Sequence, residues 1–503
     1  MRRLLAILAM AAALVAGHAV HAQPVEPRFA LVIGNGKYRQ GALPSSLNNA
    51  ALVAETLRSI GFDVTGAADL KQPDLLDAVR KFAAKVRAGG PTTVAVFYFS
   101  GYGFSLEGEN LLVAADALLE RDTDIPLDTI RLSEVIDPLS RVPARAKIFI
   151  VDASRALPFP IKDMKLAPGL AALEAPAGSL VAFSDAPAAV AADGSGPYGA
   201  YPLALAENLR IGGLDVAEAF TRARLRVHQL SRGAQTPWHV SSLAGPLVLV
   251  PPNPAAPPPL LHAVRPMREA GVEGAYALAI QQDTLAGYAE VALAFPSSGY
   301  APRIRAMMRA RRETMTWQQA RATDTARGYW SYEKRYPDGI YAADAERRLD
   351  RLSEALQPPP AFEPVTFAGV PPPIQNEPRE RAALPTSPPP PSRMIAPQPS
   401  LYANFSLPLP SLPGAGRNDA AFPPVHTLPP PGSDEEGAEA EKPKPAPVHK
   451  RRPVAPVTRP ATPPPSAGIG APTILAPPQQ LPANRPPAQR QITPAPSPFS
   501  GSR

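Results

Sequence analysis

Cysteine is absent from this sequence of 503 residues. The chain therefore forms no disulfide, and no thiol in it can act as a nucleophile. Beyond the N-terminal segment, no run approaches the roughly 20 apolar residues that span a membrane. The glycines at 34, 101 and 103 lack the spacing of dinucleotide-binding or Walker loops. These absences exclude a disulfide scaffold, a thiol enzyme and a phosphate loop of either type.

Charge is in modest positive excess, with a formal net value of +7. Arginine supplies much of the excess, with basic clusters at residues 303–312 and 450–452. No interleaving of basic and aromatic residues, as in nucleic-acid-binding modules, accompanies them. The composition favours contacts with acidic surfaces and predicts no nucleic-acid partner.

Residues 1–22 have the three parts of a secretory signal: a basic start, an apolar stretch over 4–17, and small residues before Gln23. The apolar stretch is short for a membrane span, so cleavage is favoured over an uncleaved anchor. We expect a bacterial protein that is periplasmic or secreted, with no membrane association beyond that of an uncleaved signal. A cysteine-free chain suits that compartment.

Apolar runs and helical periodicity alternate between residues 28 and 250. Strands are predicted near 29–33, 62–66, 93–99, 147–152, 179–184 and 246–250. Helices are predicted over 73–86, 205–209 and 215–230, the first with one apolar face. Strand–helix alternation of this kind indicates a doubly wound α/β fold, with a mostly parallel sheet covered by helices on both faces.

Two of these strands end in residues that carry a family resemblance. The first ends in Ser-Gly-Tyr-Gly at 100–103, and the second in Asp-Ala-Ser-Arg at 152–155. They resemble the segments of caspase-like peptidases (caspases, metacaspases, paracaspases and bacterial relatives) that end in Ser-Gly-His-Gly and Asp-Ala-Cys-Arg. Further stretches that match the family occur on both sides of these segments and in family order, at 28–38, 43–50, 108–116, 178–183, 191–194 and 235–243. The resemblance covers roughly 28–250 and implies the caspase-like fold.

The same resemblance places Tyr102 at the family's catalytic histidine and Ser154 at its catalytic cysteine. A serine hydroxyl depends on an adjacent base, and tyrosine, with a pKa near 10, is a poor base at neutral pH. Gly103 matches the glycine whose N–H helps to form the oxyanion hole. We therefore expect no active catalytic residue, although a hydrolase that uses Ser154 with another base, such as His239, is the alternative.

The resemblance also assigns a substrate-binding role to two positions. Asp152 matches an aspartate that lines a pocket for arginine or lysine in metacaspase-like members, and Asn49 stands where those members have the companion acid. The pocket is thus expected to lack one charge. Alternatively, Asp152 is a structural carboxylate satisfied by N–H groups of the loops. No metal site and no cofactor are predicted.

The C-terminal half divides into three parts. A proline-rich linker is predicted over 251–262. In the region 263–356, residues 276–301 and 317–342 match at an offset of about 41, which resembles a pair of tetratricopeptide-like helical repeats. Residues 357–503 hold roughly 40 of the 68 prolines and are expected to form a disordered tail.

These observations predict a signal peptide at 1–22, a caspase-like domain at 23–250, the linker, the repeat pair and the tail. The functional interpretation is an exported, catalytically inactive homologue of caspase-like endopeptidases that binds peptides or envelope proteins, or acts as a scaffold. The alternatives are a residual endopeptidase that uses Ser154, and a purely structural platform for the repeats. The sequence does not predict an oligomeric state.

Overall fold

A computed structural model describes residues 26–162, 164–191, 196–254 and 267–371. The predicted signal peptide, most of the predicted linker and residues 372–503 lie outside the described residues. Within the described ranges, no helix is long and apolar enough to cross a membrane.

Eight strands among the described residues form one sheet in the order β2-β1-β3-β6-β7-β8, with β4 and β5 continuing from β3 to the side. Neighbours from β2 to β7 along that order are parallel, whereas β8, β4 and β5 pair antiparallel. The strands are β1 (Arg28–Gly34), β2 (Asp63–Ala68), β3 (Val94–Leu106), β4 (Glu109–Val113), β5 (Thr129–Arg131), β6 (Ala146–Ser154), β7 (Ser179–Phe183) and β8 (Trp238–Ser241).

Helices cover both faces of the sheet, because alternate strand residues point to opposite sides. Ala30 and Val32 of β1 join one core, and Leu31 and Ile33 join the other. Helices α1 (Pro44–Ser59), α5 (Ala200–Leu209) and α6 (Val216–Leu230) contribute to the first core, and α2 (Gln72–Gly89) and α4 (Leu132–Ser140) to the second. A short helix, α3, spans Ile125–Asp128. The predicted doubly wound, mostly parallel α/β fold is confirmed.

One predicted strand is wrong. Residues 246–250 form only an isolated bridge between Val248 and Asp215, and the edge strand is β8, which was not predicted. Leu247 and Leu249 are buried against the first core. The apolar run therefore indicates only that these residues are buried. Loops as well as strands can be buried, so the run does not establish strand pairing.

Between residues 267 and 371 the structure has five α-helices, which we call the helical region: α7 (Gly271–Gln282), α8 (Leu285–Ala294), α9 (Ala301–Thr323), α10 (Ala326–Arg335) and α11 (Ala342–Arg351). Helices α8 and α10 start with the same cap, in which a threonine Oγ1 accepts from a glycine N–H, at Thr284 and Thr325. The preceding residues, Asp283 and Asp324, are both left-handed, with φ of 48° and 47°. The two matching stretches thus share one local geometry, while their likeness to tetratricopeptide units stays a prediction.

Residues 352–371 continue as coil along the helices. Phe367 and Val370 are buried with α9–α11, and the Val365 N–H donates to the Ser331 Oγ over 2.9 Å. The predicted boundary at residue 356 is therefore too early, because the apolar side chains of Phe367 and Val370 pack against α9–α11.

A buried histidine joins helix α6, which packs on the sheet, to the first helix of the helical region. His228 of α6 is hydrogen-bonded through Nδ1 to the Thr236 hydroxyl (2.8 Å) and through Nε2 to the Tyr276 hydroxyl of α7 (2.9 Å). Burial, with a smaller contribution from the positive charge of Arg303, lowers the pKa of His228 from 6.5 to about 3. The ring therefore stays neutral in the folded protein.

The low pKa of His228 predicts that acid destabilises the folded protein. Between about pH 6 and 3, the unfolded state binds a proton at His228 that the folded state does not, so stability falls by up to about 1.4 kcal/mol per pH unit. In urea titrations at several pH values, His228→Gln should be less stable at pH 7 but should lose less stability on acidification. Parallel pH profiles for both proteins would contradict the assignment.

Candidate functional site

The sequence-predicted residues lie at the carboxyl ends of the two central strands. Strands β3 and β6 are parallel neighbours, with Ser100 level with Asp152 and Gly103 level with Ser154, and the register shifts between these pairs. In an open parallel sheet, this edge is where chemistry is normally placed. Here β3 does not end at the edge but continues to Leu106 and turns back as β4.

Tyr102 is enclosed by an aromatic cluster. Its hydroxyl donates to the Gly41 carbonyl over 2.9 Å, and its N–H donates to the Tyr38 hydroxyl over 3.0 Å. Its ring makes edge contacts with Tyr38 and Phe159, at centroid distances of 4.8 and 5.6 Å. At the position that the resemblance assigns to the family's histidine, the tyrosine side chain anchors the loop after β1.

Ser154 is completely buried, and its Oγ has no hydrogen-bond partner among the described residues. Its carbonyl accepts from the Ala191 N–H over 2.8 Å, so the backbone is held on the side of the loop after β7. A serine without an adjacent base and without access to solvent lacks both requirements of a nucleophile.

Neither described histidine of the caspase-like segment approaches Ser154. His239 lies on β8 level with Ala182 of β7, so an entire strand separates it from β6, which puts the strand axes about 10 Å apart. Its Nδ1 contacts the Arg224 Nη2 at 2.8 Å. Burial first, and then the nearby arginines, keep the pKa of His239 well below its usual value. His239 is therefore a packed, neutral ring and not a base for Ser154.

Asp152 is buried and saturated with contacts from its own chain. Its Oδ2 accepts from Asn49 Nδ2 (3.0 Å), the Tyr98 hydroxyl (3.1 Å) and the Ser100 hydroxyl (3.1 Å). Both carboxylate oxygens lie 3.3 Å from Arg155 Nη2. The donors are thus side chains, not the loop N–H groups considered from the sequence.

Arg155 is the cation that sequence reasoning missed. It is 7% exposed, and its Nη1 donates to the carbonyls of Gly101 and Asp152. The carboxylate to which the resemblance assigns the binding of arginine or lysine is therefore paired with an arginine of the chain. The spacing of three residues between Asp152 and Arg155 was the signal for this ion pair in the sequence, but the prediction considered the serine of the motif and not the arginine.

Asn49 explains how Asp152 tolerates burial. Its amide donates to Asp152 on one side, and its Oδ1 accepts from the Gly199 N–H (2.9 Å), at the start of α5, on the other. An amide can do both, whereas a carboxylate at this position could not donate to Asp152. Asn49 thus links α1, β6 and α5.

Replacing Asn49 with aspartate should place two carboxylates in contact. We expect a loss of about 2–3 kcal/mol in unfolding free energy at pH 7, since a donor is lost and like charges repel. The introduced acid would have a raised folded-state pKa, so the loss should shrink as the pH falls toward 4. Asn48→Asp, one residue away, is the matched control. Equal effects of both variants in chemical denaturation would argue against this account.

Gly103 lies inside the sheet between Leu112 of β4 and Ser154 of β6. A Cβ at this position would lie 3.0 Å from the Cβ of Ala153 and 3.2 Å from the Leu111 carbonyl oxygen. Close strand packing thus accounts for the glycine. The predicted oxyanion position is enclosed by backbone on both sides.

The helical region covers the loops above these strand ends. The turn from β3 to β4 is held by α11: the Glu107 N–H donates to Asp344, and Arg348 donates to the Glu107 carbonyl over 2.9 Å and contacts its carboxylate. Arg321 of α9 donates to the Gly108 carbonyl over 2.6 Å. Arginines of α9 and α11 therefore hold the turn between β3 and β4, and we call this set of contacts the clasp.

The covering is apolar as well as polar. Ala167 and Ala188, from the loops after β6 and β7, share one buried cluster with Trp317 of α9. Within the described part of the chain, no group of three or more histidines or acids is placed to hold a metal ion. The residues at the ends of β3 and β6 are thus buried, and Asp152 and Arg155 among them pair with each other.

Comparison with known families agrees with this geometry. Residues 27–248 match the profile of the family described as the caspase domain. No curated protein matches the chain. The match covers the whole sheet and its flanking helices, and leaves the helical region and the tail outside. The topology and this match together show that residues 27–248 of the chain form a caspase-like domain.

Proposed function

We propose that this protein is an exported caspase-like scaffold that does not cleave peptides, in which the caspase-like domain supports the helical region as a binding surface. The observation that carries the proposal is the completely buried Ser154, whose Oγ has no base within hydrogen-bond distance among the described residues. The frame of a peptidase is occupied by its own side chains.

Peptide cleavage by this domain would need three things at once. A peptide would have to reach Ser154 through the covering loops, a base would have to take the hydroxyl proton, and the oxyanion would need free N–H donors. The complete burial of Ser154 argues against the first, and the lack of any hydrogen-bond partner at its Oγ among the described residues argues against the second. The site supports holding loops and helices in place, which is a structural role.

The direct test uses the mature chain from Gln23 beside its Ser154→Ala variant. We expect neither protein to cleave a diverse peptide library, and a serine-directed phosphonate to leave Ser154 unlabelled. Cleavage or labelling that disappears in Ser154→Ala would overturn the proposal in favour of a residual serine endopeptidase. A circular dichroism spectrum with both helix and strand signals shows that the tested sample is folded.

Restoring the family pair should not restore cleavage. In Tyr102→His plus Ser154→Cys, we expect no cleavage after arginine or lysine, because the thiol is buried and Asn49 still stands at the position of the family's second acid. Since the chain has no other cysteine, reaction with a thiol reagent reports access to this one atom. Labelling should be at least tenfold slower than for Ser242→Cys, which is exposed. Rapid labelling with cleavage after basic residues would refute the prediction.

The helical region supplies the candidate surface for partners. Leu293 of α8 is 82% exposed, the highest value for a large apolar side chain among the described residues. We expect envelope proteins to co-purify with the exported chain and to be lost in Leu293→Asp, with Leu118→Asp in the caspase-like domain as the control. Failure of the folded, exported chain to retain any envelope protein would contradict the binding role.

A further inference from the structure

Strand β2 leaves one edge of the sheet unpaired. Among the described residues it pairs with β1 alone and lies at the end of the strand order. Natural edges are commonly blocked by lysine, proline or bulges. After Asp63 and Val64, this edge carries only Thr65, Gly66, Ala67 and Ala68, which are small and uncharged. It therefore lacks the usual protection against accepting another strand.

A groove runs beside this edge on the side of α2. Its volume is about 280 Å³, which is below the roughly 300–1,000 Å³ of small-molecule pockets. Its floor is mostly apolar and its rim carries two acids and two lysines, with Leu31, Thr65, Ala67, Leu70, Ala78 and Phe82 below and Asp74, Asp77, Lys81 and Lys85 above. Ala67, Leu70 and Ala78 are only partly buried against the core. The groove fits a few apolar side chains of an extended segment.

We propose that residues 400–407 of this same chain add a strand to β2 and fill the groove. This segment, Ser-Leu-Tyr-Ala-Asn-Phe-Ser-Leu, lies outside the described residues, between Pro399 and Pro408 in the proline-rich tail. It contains no proline and no charge, and its apolar residues alternate at 401, 403, 405 and 407. Such alternation is typical of a strand with one buried face.

Composition singles out the segment from the rest of the tail. It holds two of the four aromatic residues beyond position 371, namely Tyr402 and Phe405. In strand addition, main-chain hydrogen bonds give affinity and alternate side chains in pockets give specificity. Leu401, Phe405 and Leu407 would cover the apolar floor, while Tyr402 and Asn404 face away from it.

The length of the tail allows this contact. The segment begins 29 positions after Pro371, and an extended chain of that length reaches about 95 Å. A folded unit of this size has a radius of gyration of about 20 Å. The linker therefore reaches any surface of the folded part.

A second copy of β2 is a poorer occupant of the groove. It would bring only Thr65 and Ala67 to the apolar floor, and these short side chains leave much of the space unfilled. The tail segment offers leucine and phenylalanine at the same spacing. The volume of the groove thus favours the tail over a symmetric dimer.

Hydrogen exchange of the full chain tests the proposal. In the wild type, the amides of Asp63–Ala68 that do not donate to β1 should be protected, and Phe405→Asp should speed their exchange at least tenfold. Phe422→Asp, an identical change elsewhere in the tail, should leave their exchange at the wild-type rate. Wild-type protection in Phe405→Asp would overturn the proposal.

The groove supplies the reciprocal variant. Ala78→Arg, on the half-buried face of α2, should reproduce the effect of Phe405→Asp, whereas Ala84→Arg, exposed on the same helix, should not. A fluorescent peptide of residues 399–409 should bind the Phe405→Asp chain and restore protection of β2. Protection that rises with protein concentration and ignores Phe405 would assign the edge to a second copy and defeat the proposal.

Discussion

Replacing Arg155 with methionine should lower the free energy of unfolding by about 3–5 kcal/mol, because it leaves a buried carboxylate without its cation. The substitution also removes the donors to the carbonyls of Gly101 and Asp152. Asn49, Tyr98 and Ser100 would still donate to Asp152, but none of them carries charge. Urea denaturation of the full chain at pH 7 measures the loss.

Two further variants separate this effect from a general loss of arginine. Arg80→Met removes an exposed ion pair with Asp77, and should cost at most about 0.5 kcal/mol. The double variant Arg155→Met with Asp152→Asn should recover part of the stability, since no charge is then left buried. If the double variant were less stable than the sum of the two single changes, the charge-pair account would be wrong.

Replacing Trp317 with alanine should cost about 3–5 kcal/mol, the usual range for a fully buried tryptophan. Its ring is 1% exposed, stacks on Tyr341 at 5.2 Å and contacts Tyr329 and Tyr332. The same cluster includes Ala167 and Ala188 of the caspase-like domain. Thermal unfolding should show the loss, and hydrogen exchange should quicken at residues 165–167.

Trp330 provides the matched control. It is only partly buried, packs edge-on against Phe362 and donates through Nε1 to the Ala355 carbonyl over 2.8 Å. Trp330→Ala should cost about 1–2 kcal/mol and leave the exchange of 165–167 unchanged. Faster exchange at 165–167 in this control, or none in Trp317→Ala, would mean that the stacked cluster does not couple the two parts.

Most of the sheet could be predicted from periodicity. The four central parallel strands, β1, β3, β6 and β7, are largely apolar runs, which is the pattern that burial on both faces requires, and α2 shows one apolar stripe. Strands β4, β5 and β8 were missed, because they are short and pair at the margins of the sheet. The run at 246–250 was misassigned because a buried loop leaves the same apolar signature.

The predicted site residues were found together, but the interactions that surround them were not predictable. Asp152 and Asn49 do contact each other, across 103 residues of chain. The pairing of Asp152 with Arg155 depends on how β6 ends, and the burial of Ser154 depends on loops that close over it. Such features arise from tertiary packing, which a motif of four residues does not encode. The coverage by α9 and α11 likewise depends on how separate segments dock.

The clasp around Glu107 has a mechanical consequence. Strand β3 runs without interruption from the buried middle of the sheet to the turn that Arg348 and Asp344 hold. A force that pulls the C-terminal helices away would travel along the axis of this strand, where the bonds to β1 and β6 are loaded in shear and resist collectively. Tension on the helices would therefore be borne by the central strands of the sheet as well as by the loops that contact Trp317.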